Sequence, residues 1–379
     1  MVFFGFGSYA SSLYHTILFE YHKGMNEAQI GNILMVAAII QIMTPFLIIW
    51  SGRFVSNPNQ ILTWLFFGIA VNLIILPLIE GFYPILFFYT LLSFFIGGSF
   101  PLAITSILAA SKSLSESWFL FARSMGTLGF ALFCLFSAIL AADIPLEQVY
   151  PFFALSALTA FILSKYNNHL PRQITRPSVR HTIKLLSQHQ TPRLLFIIAL
   201  ASIAAYGGTT LLGNFIRSEL GGTNADVGKA WSIATFFEIP LIWAGIYLFR
   251  RMGLKNLMLA GIVILGIRFS LNAFCPSIEF FFYIQTIHGL FYGATLTGMG
   301  IYFRRVYGEQ HVHHLQLFAG VIYGGLASAL SGKIGTLIWE YQGLRTMYIW
   351  FGAFAFMAAL ALWRFAKIPD SAYQKASEL

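Results

Sequence analysis

The sequence predicts an all-α membrane protein of twelve transmembrane helices arranged as two six-helix bundles. Three observations carry this. The 379 residues are 58% hydrophobic and only 10% charged, with a mean hydropathy of +0.73, whereas about a quarter of a soluble domain is charged. Apolar runs of the roughly twenty residues needed to cross a bilayer recur from end to end. One polar, basic connection, YNNHLPRQITRPSVRHTIKLLSQHQTP from Tyr166 to Pro192, divides those runs six and six.

Each run is bounded by charge, Gly or Pro. The first covers 1–20 and lacks the basic start and small-residue cleavage site of a signal peptide, so it reads as a membrane helix. Ser8, Ser11, Ser12 and His15 give it a polar face. The second and third, 27–50 and 60–79, flank Gly52 and Arg53. The fourth, 83–108, holds Pro84 and Pro101; the fifth and sixth cover 117–141 and 147–165. After the linker come 193–215, 226–249 with Pro240, 254–274, 278–303, 314–338 and 345–366. Prolines are tolerated in such helices because neighbours re-satisfy the freed backbone groups. The expected division is 1–166, a cytoplasmic basic linker at 167–192, and 193–379. Within the linker, VRHTIKLLSQ suits a short amphipathic helix on the membrane surface.

Charge sets the orientation. With the N-terminus inside, most of the 23 Lys and Arg fall in inner loops and most acids in outer ones, so both termini are expected in the cytoplasm of an inner-membrane protein. The net charge of +9 is then topogenic, and nucleic acid is not an expected partner; the lipid bilayer is. Cys134 and Cys275 lie in apolar surroundings and are expected as free thiols. The chain has no long polar region for a soluble catalytic domain, and no phosphate loop, nucleophile elbow or metalloprotease helix. His311, His313 and His314 sit in an inner loop and are not expected to hold a metal. No cofactor and no enzymatic activity are expected, and the chain is expected to act as a monomer.

Ionisable residues inside the runs are costly, about 2.5–3.5 kcal/mol each at mid-bilayer on insertion scales. Three successive helices carry one each: Glu238 in TFFEIPLIW, Arg268 in ILGIRFSLNA and His288 in IQTIHGLFYG. Glu238, two residues before Pro240, suits either a carboxylate in a polar cavity or a structural ion pair. Arg268 needs an anion, for which Glu238 is the leading candidate, unless it snorkels to water. His288 either titrates or is a satisfied core residue; Gln285 lies three residues earlier on its face and Tyr292 follows in the same segment. Arg123 opens RSMGTLGFALF, where Gly126 and Gly129 allow a helix or a solute to approach closely. Lys333 is placed to snorkel.

These segments resemble the major facilitator superfamily. Its signature loop is similar to GIYLFRRMGLK, through Gly245, Arg250, Arg251, Gly253 and Lys255, with Phe249 where an acid usually stands; in the first half only Gly52 and Arg53 are recognisable. Within the superfamily the chain resembles the branch of lactose permease and the 3-phenylpropionic acid transporters. RSMGTLGFAL is similar to that branch's fifth-helix pattern, and EIP, GIRFS and QTIHG to its helices eight to ten. The resemblance implies a substrate-binding Arg123 with Phe130 stacking on the solute, and proton coupling through Glu238, Arg268 and His288. It implies a conformational role for the signature loop. His15, Gln285 and Tyr292 are further candidates for substrate binding. The branch's second acid after the histidine is replaced by Phe291, and its fourth-helix carboxylate by Thr105.

The expected function is secondary active transport by alternating access: proton-coupled symport of a small organic solute, powered by the proton gradient. The solute is an aromatic or short carboxylic acid, a sugar or a nucleoside, with an anion favoured because Arg123 has no carboxylate near it in helix four. A proton-independent uniporter or exporter is the alternative, ahead of a membrane enzyme acting on lipid-linked substrates.

Overall fold

The computed structural model describes residues 1–51, 58–111, 116–167, 179–308, 315–316 and 318–366. Among these residues the chain crosses the bundle twelve times. The spans are α1 (Val2–Tyr9, Ala10–Leu13, His15–Ile17 and Leu18–His22), α2 (Glu27–Ser51), α3 (Pro58–Ile75), α4 (Phe82–Ser111), α5 (Glu116–Asp143) and α6 (Leu146–Ser164). They continue as α7 (Thr191–Thr210 and Leu212–Glu219), α8 (Asn224–Met252), α9 (Leu254–Ala273), α10 (Ile278–Gln285 and Gly289–Tyr307), α11 (Phe318–Gln342) and α12 (Leu344–Phe365). An amphipathic helix, Val179–Leu186, lies between the halves in sequence. The N-terminus, this helix and the start of α7 mark the linker end of the bundle; the short turns after α1, α3, α5, α7, α9 and α11 mark the hairpin end.

Nine spans among the described residues are long and apolar enough by themselves to cross a membrane. The other three are α1 and α10, both interrupted, and α8, whose apolar run contains Glu238. The interruptions have local causes. In α1 the hydroxyls of Ser8 and Ser11 donate to the carbonyls of Gly5 and Ser8 at 2.7 and 2.9 Å. Such back-bonding competes with the regular ladder, and the chain passes through a 3₁₀ turn at Ala10–Leu13. In α10 the amides of Thr286, Ile287 and His288 each bond three residues back, tightening the turn where His288 sits.

Helix starts and ends follow sequence signals. Thr223 caps α8 in a reciprocal box with Asp226. Gly253 adopts φ 74° between α8 and α9, a backbone state that glycine enters without steric cost. Surfaces bearing Trp64, Phe87, Phe196 and Phe274 are exposed, as expected where side chains meet lipid rather than water.

Each half packs mainly within itself, α1 against α5 and α6 in the first and α9 against α10 and α12 in the second. Between halves, α5 lies along α8 and α2 along α11. Small residues make these approaches possible. A β-carbon on Gly228 of α8 would stand 2.7 Å from the Cys134 carbonyl oxygen of α5, and one on Gly332 of α11 would stand 2.9 Å from Leu34 Cβ of α2.

Candidate functional site

A cavity of about 170 Å³ lies where the halves meet. Its wall takes Ser12 from α1, Gln41 from α2, Tyr89 and Ser93 from α4, Thr209 and Thr210 from α7, Trp231 from α8 and Ser328 from α11, with Leu13, Leu34, Ala37, Ala38 and Gly332 between them. The described wall is hydroxyl, amide and aromatic, with no charged side chain. Sites for drug-sized ligands run from about 300 to 1,000 Å³, so this cavity is smaller than those.

Trp231 connects the cavity to the ionisable cluster behind it. Its ring meets Phe130 of α5 edge-on at 6.2 Å and His288 of α10 at 5.4 Å. His288 in turn meets Tyr292 at 5.1 Å. The expected residues Phe130, His288 and Tyr292 therefore belong to one chain of rings, joined by a tryptophan that the sequence reading passed over. Its signal was available: Trp231 precedes Glu238 by seven residues, two helical turns on one face.

The backbone of Glu238 is in direct contact with Gly289, beside His288; a β-carbon there would lie 2.6 Å from Glu238 Cα. Arg268 is 1% exposed and donates through Nη2 to Gln285 Oε1 at 2.6 Å. Its bond is thus to a neutral amide on α10 rather than to the Glu238 carboxylate, the partner expected from sequence. The physical reason is register: α9 presents Arg268 to the Gln285 end of α10, before the break, whereas Glu238 meets α10 after it. Arg268 Nε and Nη1 and His288 Nδ1 have no hydrogen-bond partner among the described residues. The Phe269 ring lies 5.4 Å from the guanidinium.

Other expected residues are placed differently. His15 is not on the cavity wall. It is buried between Tyr150, whose hydroxyl lies 3.0 Å from its Nδ1, and the edge of Tyr89 at 5.1 Å. The break in α1 turns it into the first half, and Ser12 and Tyr89 take the wall in its place. Gln285 is spent on Arg268 and on the Phe281 carbonyl. Tyr292 borders a separate, water-sized void of about 10 Å³ with Tyr206 and Tyr323. The side chain of Arg123 lies outside the described residues, as do His311, His313 and His314. Gly126 and Gly129 receive Phe6 and Phe3 of α1, so it is a helix that makes the close approach there.

At the linker end, Lys255 Nζ donates to the Trp363 carbonyl at 2.9 Å and Arg251 covers Tyr247 at 4.9 Å. The side chain of Arg250 is outside the described residues. Phe249, standing where the signature has an acid, lies beneath the Arg305 guanidinium at 4.7 Å, a cation–π contact at that position. Lys333, expected to snorkel, donates across the halves to Asn32 at 2.8 Å. Among the described residues no group of three or more His, Cys, Asp or Glu is placed to hold a metal ion. Cys134 and Cys275 are free and buried; burial pushes the Cys275 thiol, in the α9–α10 turn, above its usual value, which makes it a poor nucleophile.

The profile of the MFS_1 like family matches residues 1–350. Maltose permease of Geobacillus stearothermophilus is 26% identical over 249 residues, taking in 65% of this chain and 62% of the permease, so less than two thirds of that relative's length is spanned. The fold is similar to a point mutant of the nucleoside transporter NupG, with a TM-score of 0.81 at 16% identity, covering 97% of this chain and 98% of that one. It is also similar to a D-xylose-proton symporter, with a TM-score of 0.74 at 14% identity over 98% of this chain and 96% of the other.

Proposed function

This chain belongs to the MFS_1 like family of major facilitator superfamily transporters, and from that premise we propose that it moves a small neutral polar solute, a sugar or nucleoside, by alternating access. It is a multi-pass membrane transporter and not an enzyme, and transporters of this superfamily need no cofactor. The observation that carries the solute class is the cavity at the junction of the halves, with Trp231 as a stacking surface and with hydroxyls and one amide as the other polar side chains of its described wall. That wall argues against the anion favoured from sequence, which would find no described cation in it. The names of the similar proteins, a maltose permease, a nucleoside transporter and a xylose–proton symporter, support the same class.

In this reading proton-coupled symport uses Glu238 as the proton carrier, with His288 and Arg268 beside it. Gly289 holds the α10 break against Glu238, so a change of charge on that carboxylate acts directly where α8 and α10 meet. A ligand or proton shifts the equilibrium only by its differential affinity for the two states. The chain would work as an inner-membrane protein with the linker end in the cytoplasm. The test is solute counterflow in proteoliposomes with labelled sugars, nucleosides and short carboxylic acids, then accumulation driven by an imposed proton gradient. Counterflow of a sugar or nucleoside, with gradient-driven accumulation abolished by Glu238→Gln, supports the reading; uptake of carboxylic acids alone overturns the solute class.

Proton-independent uniport is the second reading. It is favoured by the bond of Arg268 to a neutral amide rather than to a titrating carboxylate. Solute counterflow without alkalinisation of the medium identifies it.

A further inference from the structure

At the hairpin end, Glu20 of α1 accepts a hydrogen bond from Asn214 Nδ2 of α7 at 2.5 Å. The same nitrogen donates to the Thr16 carbonyl at 3.3 Å, and Thr16 Oγ1 donates to the Thr210 carbonyl at 3.3 Å. Gly213 brings the backbones together, since a β-carbon there would lie 2.6 Å from Ile17 Cδ1. This is a seam between the halves. Two acceptors on one side fix which way the amide points. Its Oδ1 is left over as an acceptor, buried and without a hydrogen-bond partner among the described residues.

Glu20 is half-buried, and among the described residues no Lys, Arg or His forms an ion pair with it. The groups acting on it are Arg217 of α7, which lies 4.9 Å over the Tyr21 ring, Glu27 of α2 and Tyr21 itself. Its neighbours His22 and Lys23 are engaged with Glu147 and Glu80, each at 2.6 Å. An acid without a paired cation, next to another acid and to an unused buried acceptor, fits a protonated carboxyl better than a carboxylate.

We propose that Glu20 binds a proton when this seam is closed, and that Glu20 and Asn214 form a pH-operated clasp between the halves. A protonated carboxyl is donor and acceptor at once. The terminal carboxyl torsion is broad, so the O–H can turn to Asn214 Oδ1 while the carbonyl oxygen keeps the Nδ2–H bond. Two neutral bonds then replace a half-buried charge. When the seam opens, Glu20 meets water and the carboxylate is favoured. Proton uptake accompanies closing, so low pH holds the seam shut and rising pH releases it. The proton enters and leaves at the same end, so the clasp governs opening and does not itself drive accumulation. It depends on the alternating-access reading only for the use to which opening is put.

The test is amide hydrogen exchange of the full-length chain in lipid nanodiscs without solute, read over 10–22 and 206–219 between about pH 5 and about pH 9 and corrected for intrinsic exchange. The expected result is exchange at the seam about tenfold faster at the alkaline end, the size of one charge-linked hydrogen bond. Glu20→Gln, whose amide can make both bonds without a proton, stays slow throughout. Asn214→Leu, which removes the partner, is fast throughout while 82–164 keeps its protection. A flat wild-type profile, or the same pH step in Glu20→Gln, overturns the clasp. Because no solute is present, failure of counterflow leaves this result standing, and the reverse.

Discussion

Gly289 lies against the backbone of Glu238, close enough that a β-carbon at 289 would stand 2.6 Å from Glu238 Cα and 2.8 Å from its Cβ. The atoms that would have to yield are backbone and the first side-chain carbon, so the helices themselves must part. Gly289→Ala is expected to destabilise the fold by about 1–3 kcal/mol, as overpacking does, and to reduce counterflow. A thermal midpoint in detergent equal to wild type would contradict this contact.

Trp231 is the ring shared by the cavity and by Phe130 and His288. Trp231→Ala is expected to weaken solute binding about tenfold, from aromatic contacts worth about 0.5–1.5 kcal/mol each. Trp231→Phe should recover most of it. Half-saturation in counterflow reads both; equal losses in the two variants would remove stacking as the reason.

Among the described residues Arg268 has one hydrogen bond, to Gln285, and it is almost unexposed. Gln285→Leu leaves the guanidinium buried with nothing to donate to. A loss of about 1.5–3 kcal/mol is expected, the range for hydrogen bonds to charged groups, measured as a fall in thermal midpoint. Gln285→Glu should restore stability by supplying a charged acceptor. If Gln285→Leu is neutral, Arg268 has another acceptor in this state.

Phe249 and Arg305 form a contact where the resembled signature uses an acid. A double-mutant cycle with Phe249→Leu and Arg305→Met is expected to give about 0.5–1 kcal/mol of coupling, the lower end of the range for a cation–π pair. Coupling indistinguishable from zero in thermal unfolding would make the ring a filler only.

Hydrophobic length determined much of this protein's fold without help from the structure. Twelve spans follow from bilayer thickness acting on apolar runs, and the amphipathic helix at Val179–Leu186 follows from periodicity. Glu238, Arg268 and His288 were conspicuous because burying an ionisable group is expensive wherever it falls. What local sequence does not encode is which groups face one another. The breaks at Ala10–Leu13 and at Thr286–His288 turn His15 away from the cavity and His288 toward Trp231, and helix register gives Arg268 to Gln285 rather than to Glu238. Asn214 reaches Glu20 across 194 positions of sequence, a distance over which periodicity carries no information. The number and place of the helices were legible because each is settled by its own residues against the lipid; the pairings were decided only when the two halves packed.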